Sequence, residues 1–279
     1  MFVLAGLLIG LREGLEASLI VGILIAYLVK IDLRSRIRSI WIGVISATVF
    51  SLVVGIAVGL TSESLTEFAE KFFAGTMSFI AVGFVTGMIF WMRTASKGLA
   101  KDLRNQIDSA LISGGAFGLT ALSFAAVARE GVETAIFLWA TAQNSGSLPT
   151  LVGGFTGIAM SIFLGYLIYL GAIKLNLSFF FKTTGILLMI VAAGVLTYGI
   201  HEFQELGWLP GLNSIAYDIS GTLDPNGFVA TMFRGLLSLR TSMSWLEVYA
   251  YIAYILIVGY FFLKPSKTTS VEKPKVKVS

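Results

Sequence analysis

Arg12-Glu13-Gly14-Leu15-Glu16 stands in the middle of an otherwise apolar run from Phe2 to Val29. The same pattern returns as Arg129-Glu130-Gly131-Val132-Glu133, inside a second apolar run from Ala110 to Ala142. Ionisable side chains halfway along a membrane-length helix are costly to place, and by default they mark function. Two copies in the same residue order argue against accident.

The surrounding chain fits that setting. Its 279 residues are 56% apolar and 13% charged, with a mean hydropathy of +0.85. Several apolar runs are long enough to cross a bilayer, where backbone groups must be satisfied within the segment, so helices are expected. The alternation of an outer-membrane barrel is absent. A pI near 9.2 would suggest nucleic acid in a soluble protein, but here the basic residues fall in short loops. The absence of cysteine excludes disulfides, thiolate metal sites, iron–sulfur clusters and cysteine nucleophiles. The first helix has no basic segment before it and carries the motif itself, so no cleaved leader is expected.

Seven spans are predicted, at about 2–29, 40–60, 72–92, 110–141, 150–173, 180–202 and 244–263. Alternate connections are basic: Lys30, Arg34, Arg36 and Arg38; Arg93, Lys97, Lys101 and Arg104; Lys174 and Lys182; then the tail from Lys264 to Lys277. The opposite connections hold only Lys71, Arg234 and Arg240. The positive-inside rule therefore predicts an N-terminus outside and a cytoplasmic tail. Glu63, Glu67, Glu70, Glu202, Glu205, Asp218, Asp224 and Glu247 gather near the outer face, where they would draw cations.

The motif helices are the first and fourth spans. Three spans separate equivalent points, so the second copy should run the opposite way. Gly43, Ser51 and Gly55 in span two match Gly153, Ser161 and Gly165 in span five at one constant offset. The pattern predicts an inverted 3+3 repeat, about 1–92 and 110–205, plus a seventh, C-terminal helix at 244–263. The 1–263 membrane domain is completed by an outer segment, 203–243, and a disordered cytoplasmic tail, 264–279. In such transporters the site lies near the midplane, between the repeats. Small residues at Gly6, Gly10, Gly14, Ser18 and Gly22 form a strip that allows close helix approach. Gly14 and Gly131 lie between carboxylates, leaving room for an ion or a partner helix.

Glutamates at i and i+3 project from nearly the same helix face, about 4.5 Å apart along the axis. Where the two motif helices cross, four carboxylates would converge: Glu13, Glu16, Glu130 and Glu133. Arg12 can reach Glu16, and Arg129 can reach Glu133. Four acids and two bases leave a negative remainder that requires protons or a cation. Carboxylate oxygens without thiols point to a hard cation such as iron, manganese, magnesium or calcium. Proton-linked transport of another substrate and a purely structural Arg–Glu lock are the alternatives on residues alone. No nucleotide-binding loop is present.

Two R-E-G-x-E motifs in the first and fourth of seven membrane helices resemble the oxidase-dependent iron permease family. That family includes the high-affinity iron permeases of fungi and bacterial ferrous-iron-uptake relatives. The segment from Gly199 to Pro210, Gly-Ile-His-Glu-Phe-Gln-Glu-Leu-Gly-Trp-Leu-Pro, is similar to the bacterial branch. The resemblance implies a permease, not an enzyme, that moves iron ions across the cell membrane into the cytoplasm. It implies Glu13, Glu16, Glu130 and Glu133 as iron ligands and an extracytoplasmic oxidising or iron-delivery partner. Iron is then the transported substrate, with no permanently bound cofactor expected. Unlike fungal members, the third helix has no acidic residue between Phe72 and Met92. The alternatives are a permease for manganese or lead, or a membrane electron-transfer or scaffold subunit of an oxidase complex.

His201 is the only histidine, at the outer end of span six. With Glu202 and Glu205 it is expected to form an outer metal-receiving site, or else to act as a hydrogen-bonded cap. Asp224-Pro225-Asn226-Gly227 in the outer segment reads as a turn.

Overall fold

The computed structural model describes residues 3–63, 65–95, 99–172, 176–219 and 239–264. The Asp224–Gly227 turn, most of the outer segment and the tail beyond Lys264 lie outside the described residues. Seven long helices account for nearly all of what is described. They are α1 (Val3–Lys30), α2 (Ile37–Glu63), α3 (Glu67–Ala95), α4 (Leu99–Ser145), α5 (Ser147–Tyr169), α6 (Leu177–Glu205) and α7 (Trp245–Leu263). Six contain apolar stretches long enough to cross a membrane. The exception is α1, equally long at 28 residues, because Arg12, Glu13 and Glu16 interrupt it. The chain is an all-helical, multi-pass membrane protein.

Glycine registers show which way neighbouring helices run. Gly6, Gly10 and Gly14 of α1 press against Thr150, Gly154 and Ser161 of α5, so these two helices are parallel. Gly43, Ser51 and Gly55 of α2 meet Ser123, Gly131 and Ala135 of α4, again in parallel. By contrast, α3 and α6 are antiparallel: Gly75 packs on Phe203, Gly199 on Ser78, and Gly185 beside Ile89. The motif helices α1 and α4 also run in opposite directions. Ile9 shares a small apolar cavity with Phe137 and Thr141, while Leu24 and Leu28 pack with Leu119 and Ile107.

The connection expected between spans three and four is a helix from Leu99 onward. Its Leu103 and Ile107 are buried against the C-terminal end of α1. The Tyr27 hydroxyl donates to Asp108 Oδ1 at 2.8 Å, adding a tie at the same place. At Gly115 the chain adopts φ 53°, ψ −122°, which a side chain would oppose, and the helix kinks. Gly118 then comes up against the carbonyl of Ala110, a contact that a straight helix cannot make. Lys101 and Arg104 of this connection thus sit on a helix packed against the bundle, where an apolar-versus-charged reading sees only a loop.

A short ribbon is the other addition. Strand β1 (Ile215–Asp218) pairs antiparallel with β2 (Ser242–Ser244) just before α7. It closes the described ends of the outer segment, with the Tyr217 hydroxyl donating to the Arg240 carbonyl at 2.8 Å.

Candidate metal centre

Both motif helices present their acids to one another halfway along their length. One carboxylate oxygen each from Glu13, Glu130 and Glu133 lies within 4.8 Å of the other two. Glu13 and Glu130 are buried, and Glu133 is nearly so. Neither oxygen of Glu13 has a hydrogen-bond partner, nor does Oε2 of Glu130 or of Glu133. Buried carboxylate oxygens without donors are costly unless a proton or cation answers them. Three inward-aimed carboxylates with free lone pairs suit a hard cation such as iron.

The fourth acid of the pair of motifs stands slightly apart. Glu16 is buried and accepts from Arg12 Nε at 3.3 Å, outside the trio. Its counterpart Glu133 accepts from Arg129 Nε at 3.0 Å, yet it still contributes to the trio. Both i, i+4 pairings expected from the sequence are present.

The two arginines differ in what surrounds them. Arg12 is fully buried, with both terminal nitrogens lacking a partner. The Arg129 side chain is 49% exposed, and its guanidinium stands 4.8 Å over the Trp91 ring. That cation–π contact holds Arg129 toward the basic-loop end of α3. A half-exposed guanidinium is far better suited to water or a polar cavity than to hydrocarbon.

Close packing encloses the acids. A Cβ at Gly14 would strike the Ser161 hydroxyl, and one at Gly131 would strike the Ser51 hydroxyl. The space between the glutamates of each motif is therefore taken by a neighbouring helix. Each serine hydroxyl donates back to its own helix, Ser161 to the Ile158 carbonyl and Ser51 to the Ala47 carbonyl.

A second polar cluster lies at the end of α6. His201 Nε2 is 3.0 Å from Glu205 Oε1, and His201 Nδ1 is 3.0 Å from Glu247 Oε1. Glu205 Oε2 also accepts from Lys71 Nζ at 3.2 Å, and Lys71 reaches Glu67 at 2.7 Å. Glu202, expected to belong here, is hydrogen-bonded to Tyr198 and lies within electrostatic reach of His201 and Glu205. Sequence reasoning missed Glu247, which is buried in the first turn of α7. The available signal was Ser244-x-x-Glu247, a helix-start pattern, and the Ser244 hydroxyl does accept from the Glu247 amide. Nothing in that pattern says that the carboxylate meets His201. Trp91 was missed for the same reason.

Comparison with known proteins shows the family. A family model described as the iron permease FTR1 family matches residues 3–267. The chain is 34% identical over 234 residues to the ferrous iron permease EfeU of Yersinia pestis, an alignment covering 83% of each chain. It is 36% identical over 229 residues to the ferrous iron permease EfeU of Escherichia coli O6:K15:H31 (strain 536 / UPEC). That alignment covers 81% of this chain and 83% of the relative. No solved structure matches the chain.

Proposed function

Since the chain belongs to the iron permease FTR1 family, we propose that it carries iron inward across the cell membrane through a midplane site formed by its two R-E-G-x-E motifs. One observation carries the reading: Glu13, Glu130 and Glu133, from two oppositely running helices, gather buried and partly unpartnered oxygens within 4.8 Å. Iron entering the site would exchange water for these oxygens. Glu16 would join as the fourth acid when the Arg12 contact yields. Arg12 and Arg129 each hold one carboxylate in place and limit the site's net negative charge.

The direction follows from charge. With basic connections in the cytoplasm, the N-terminus of α1 is outside and the membrane potential draws cations inward. Each charge moved through the full potential gains roughly 2.3 kcal/mol per 100 mV.

The helices are arranged as an inverted 3+3 repeat, α1–α3 against α4–α6, with α7 added. Support comes from contacts that exchange under that relation: Gly14 with Ser161 mirrors Gly131 with Ser51, and Gly165 with Ser18 mirrors Gly55 with Ala135. A site on the axis relating two such halves can be approached from either side in turn.

The test is purified protein in liposomes, supplied with ferrous or ferric iron, with and without an inside-negative potential. Uptake that rises with the potential and disappears in Glu13→Gln and Glu130→Gln is expected. Undiminished uptake by both variants overturns the midplane site. Competition by manganese and lead separates an iron permease from one for another metal.

A further inference from the structure

The cluster at the end of α6 is not used by the midplane site, and its geometry is that of a histidine prepared to bind metal. His201 has two carboxylates on opposite ring nitrogens, and their exposures differ. The Glu247 side chain, behind Nδ1, is 1% exposed, whereas that of Glu205, beside Nε2, is 34% exposed and that of His201 is 20% exposed. A buried carboxylate on one nitrogen fixes the proton there, turns the ring and leaves the other nitrogen's lone pair facing outward.

Glu247 gives the second sign. Its Oε2 is buried and has no hydrogen-bond partner, although Oε1 of the same carboxylate touches His201. A buried carboxylate served by only one donor holds negative charge that the imidazole alone leaves under-compensated. A cation on the far side of the ring would answer it. The aromatic group Phe72, Phe203 and Trp208 packs around the same helix end. Trp208 is of the kind that favours the membrane–water interface, and with the part-exposed His201 and Glu205 it supports a position at a mouth of the bundle, within reach of solutes.

We propose that His201 Nε2 and Glu205 form a receiving site for a divalent first-row transition ion, with Glu247 as the positioning residue that orients the imidazole. The inference deepens the iron-permease reading and rests on it for the identity of the cargo. An imidazole beside a carboxylate suits a borderline divalent ion such as ferrous iron. Lys71 occupies Glu205 Oε2 and competes with the arriving ion. When metal binds, Glu205 exchanges the Lys71 ammonium for the ion. Lys71 remains paired with Glu67, so no charge is stranded.

The experiment uses the full chain carrying Glu13→Gln and Glu130→Gln, which removes the midplane site, titrated anaerobically with ferrous iron. One remaining ion per chain is expected. It should be lost with His201→Asn, whose amide keeps the hydrogen bond to Glu247 but offers nothing in place of Nε2. Glu247→Gln should weaken it about 10- to 100-fold, the usual consequence of losing an orienting partner. Lys71→Gln should tighten it, a gain that misfolding cannot imitate. In the otherwise native protein, His201→Asn should raise the KM for uptake about tenfold and leave the maximal rate unchanged.

Unaltered binding in His201→Asn, or weaker binding in Lys71→Gln, overturns the receiving site. Neither result bears on the midplane site, which fails separately if the doubly substituted protein still transports iron.

Discussion

Gly14 meets Ser161 so closely that no side chain fits between them, and Gly131 meets Ser51 in the same way. Each glycine lies between the two glutamates of its motif. These contacts bring α5 against α1 and α2 against α4 at the level of the acids.

Gly14→Ala and Gly131→Ala should therefore destabilise the protein by about 1–3 kcal/mol each, the usual effect of overpacking a tight contact. Gly22 and Gly83 have open space where a Cβ would go, and alanine there should be tolerated. Thermal unfolding in detergent, compared across the four variants, checks the ranking. Equal shifts for all four would show that the close approach at the motifs is unimportant.

The two arginines should respond unequally. Arg12 is fully buried with Glu16, and removing one partner of a buried pair strands the other charge at a cost of about 3–5 kcal/mol. Arg129 is half-exposed and its pair is correspondingly weaker. Arg12→Gln is expected to reduce the folded yield severely. Arg129→Gln should give folded protein whose uptake is impaired. Fluorescence-detected size exclusion separates the two outcomes.

The same difference predicts accessibility. The chain has no cysteine, so single-cysteine variants need no prior background changes. A soluble maleimide should modify Arg129→Cys in the absence of iron and leave Leu15→Cys, at a fully buried position of the first motif, unmodified. Labelling of vesicles of known orientation identifies the side from which Arg129 is reached, and the cytoplasmic side is expected. If Leu15→Cys reacts as readily, the burial difference does not describe the resting protein.

Gly115 offers a test at the kink. Its φ of 53° with ψ of −122° suits glycine alone, so Gly115→Ala should straighten or strain the turn at a cost of about 1–3 kcal/mol. The loss should be reported by release of the Tyr27–Asp108 contact and faster proteolysis between Leu99 and Gly114. An unchanged digestion pattern would count against a packed inner helix.

Much of this protein can be read directly from its sequence. Hydropathy and length specify the membrane helices, because hydrocarbon accepts little other than apolar side chains on a hydrogen-bonded backbone. The doubled motif marks the candidate site, because charge within a membrane-length helix is too costly to be incidental. Pairing of Arg12 with Glu16 and of Arg129 with Glu133 follows from helical spacing alone. The helix from Leu99 to Gly114 is hidden because two buried apolar residues among many charges look like a loop until α1 is there to cover them.

What only the tertiary structure decides is which groups meet across helices. Sequence spacing gives four equivalent glutamates, whereas packing draws Glu13, Glu130 and Glu133 into a trio and leaves Glu16 with Arg12. It buries one arginine and exposes its counterpart over Trp91. It also sets Glu247 behind His201 across 46 residues of chain, where no local pattern reaches. Periodicity constrains neighbours on one helix, but contacts between helices depend on how closely their backbones approach. In this bundle small residues such as Gly14, Gly131, Ser51 and Ser161 set that distance.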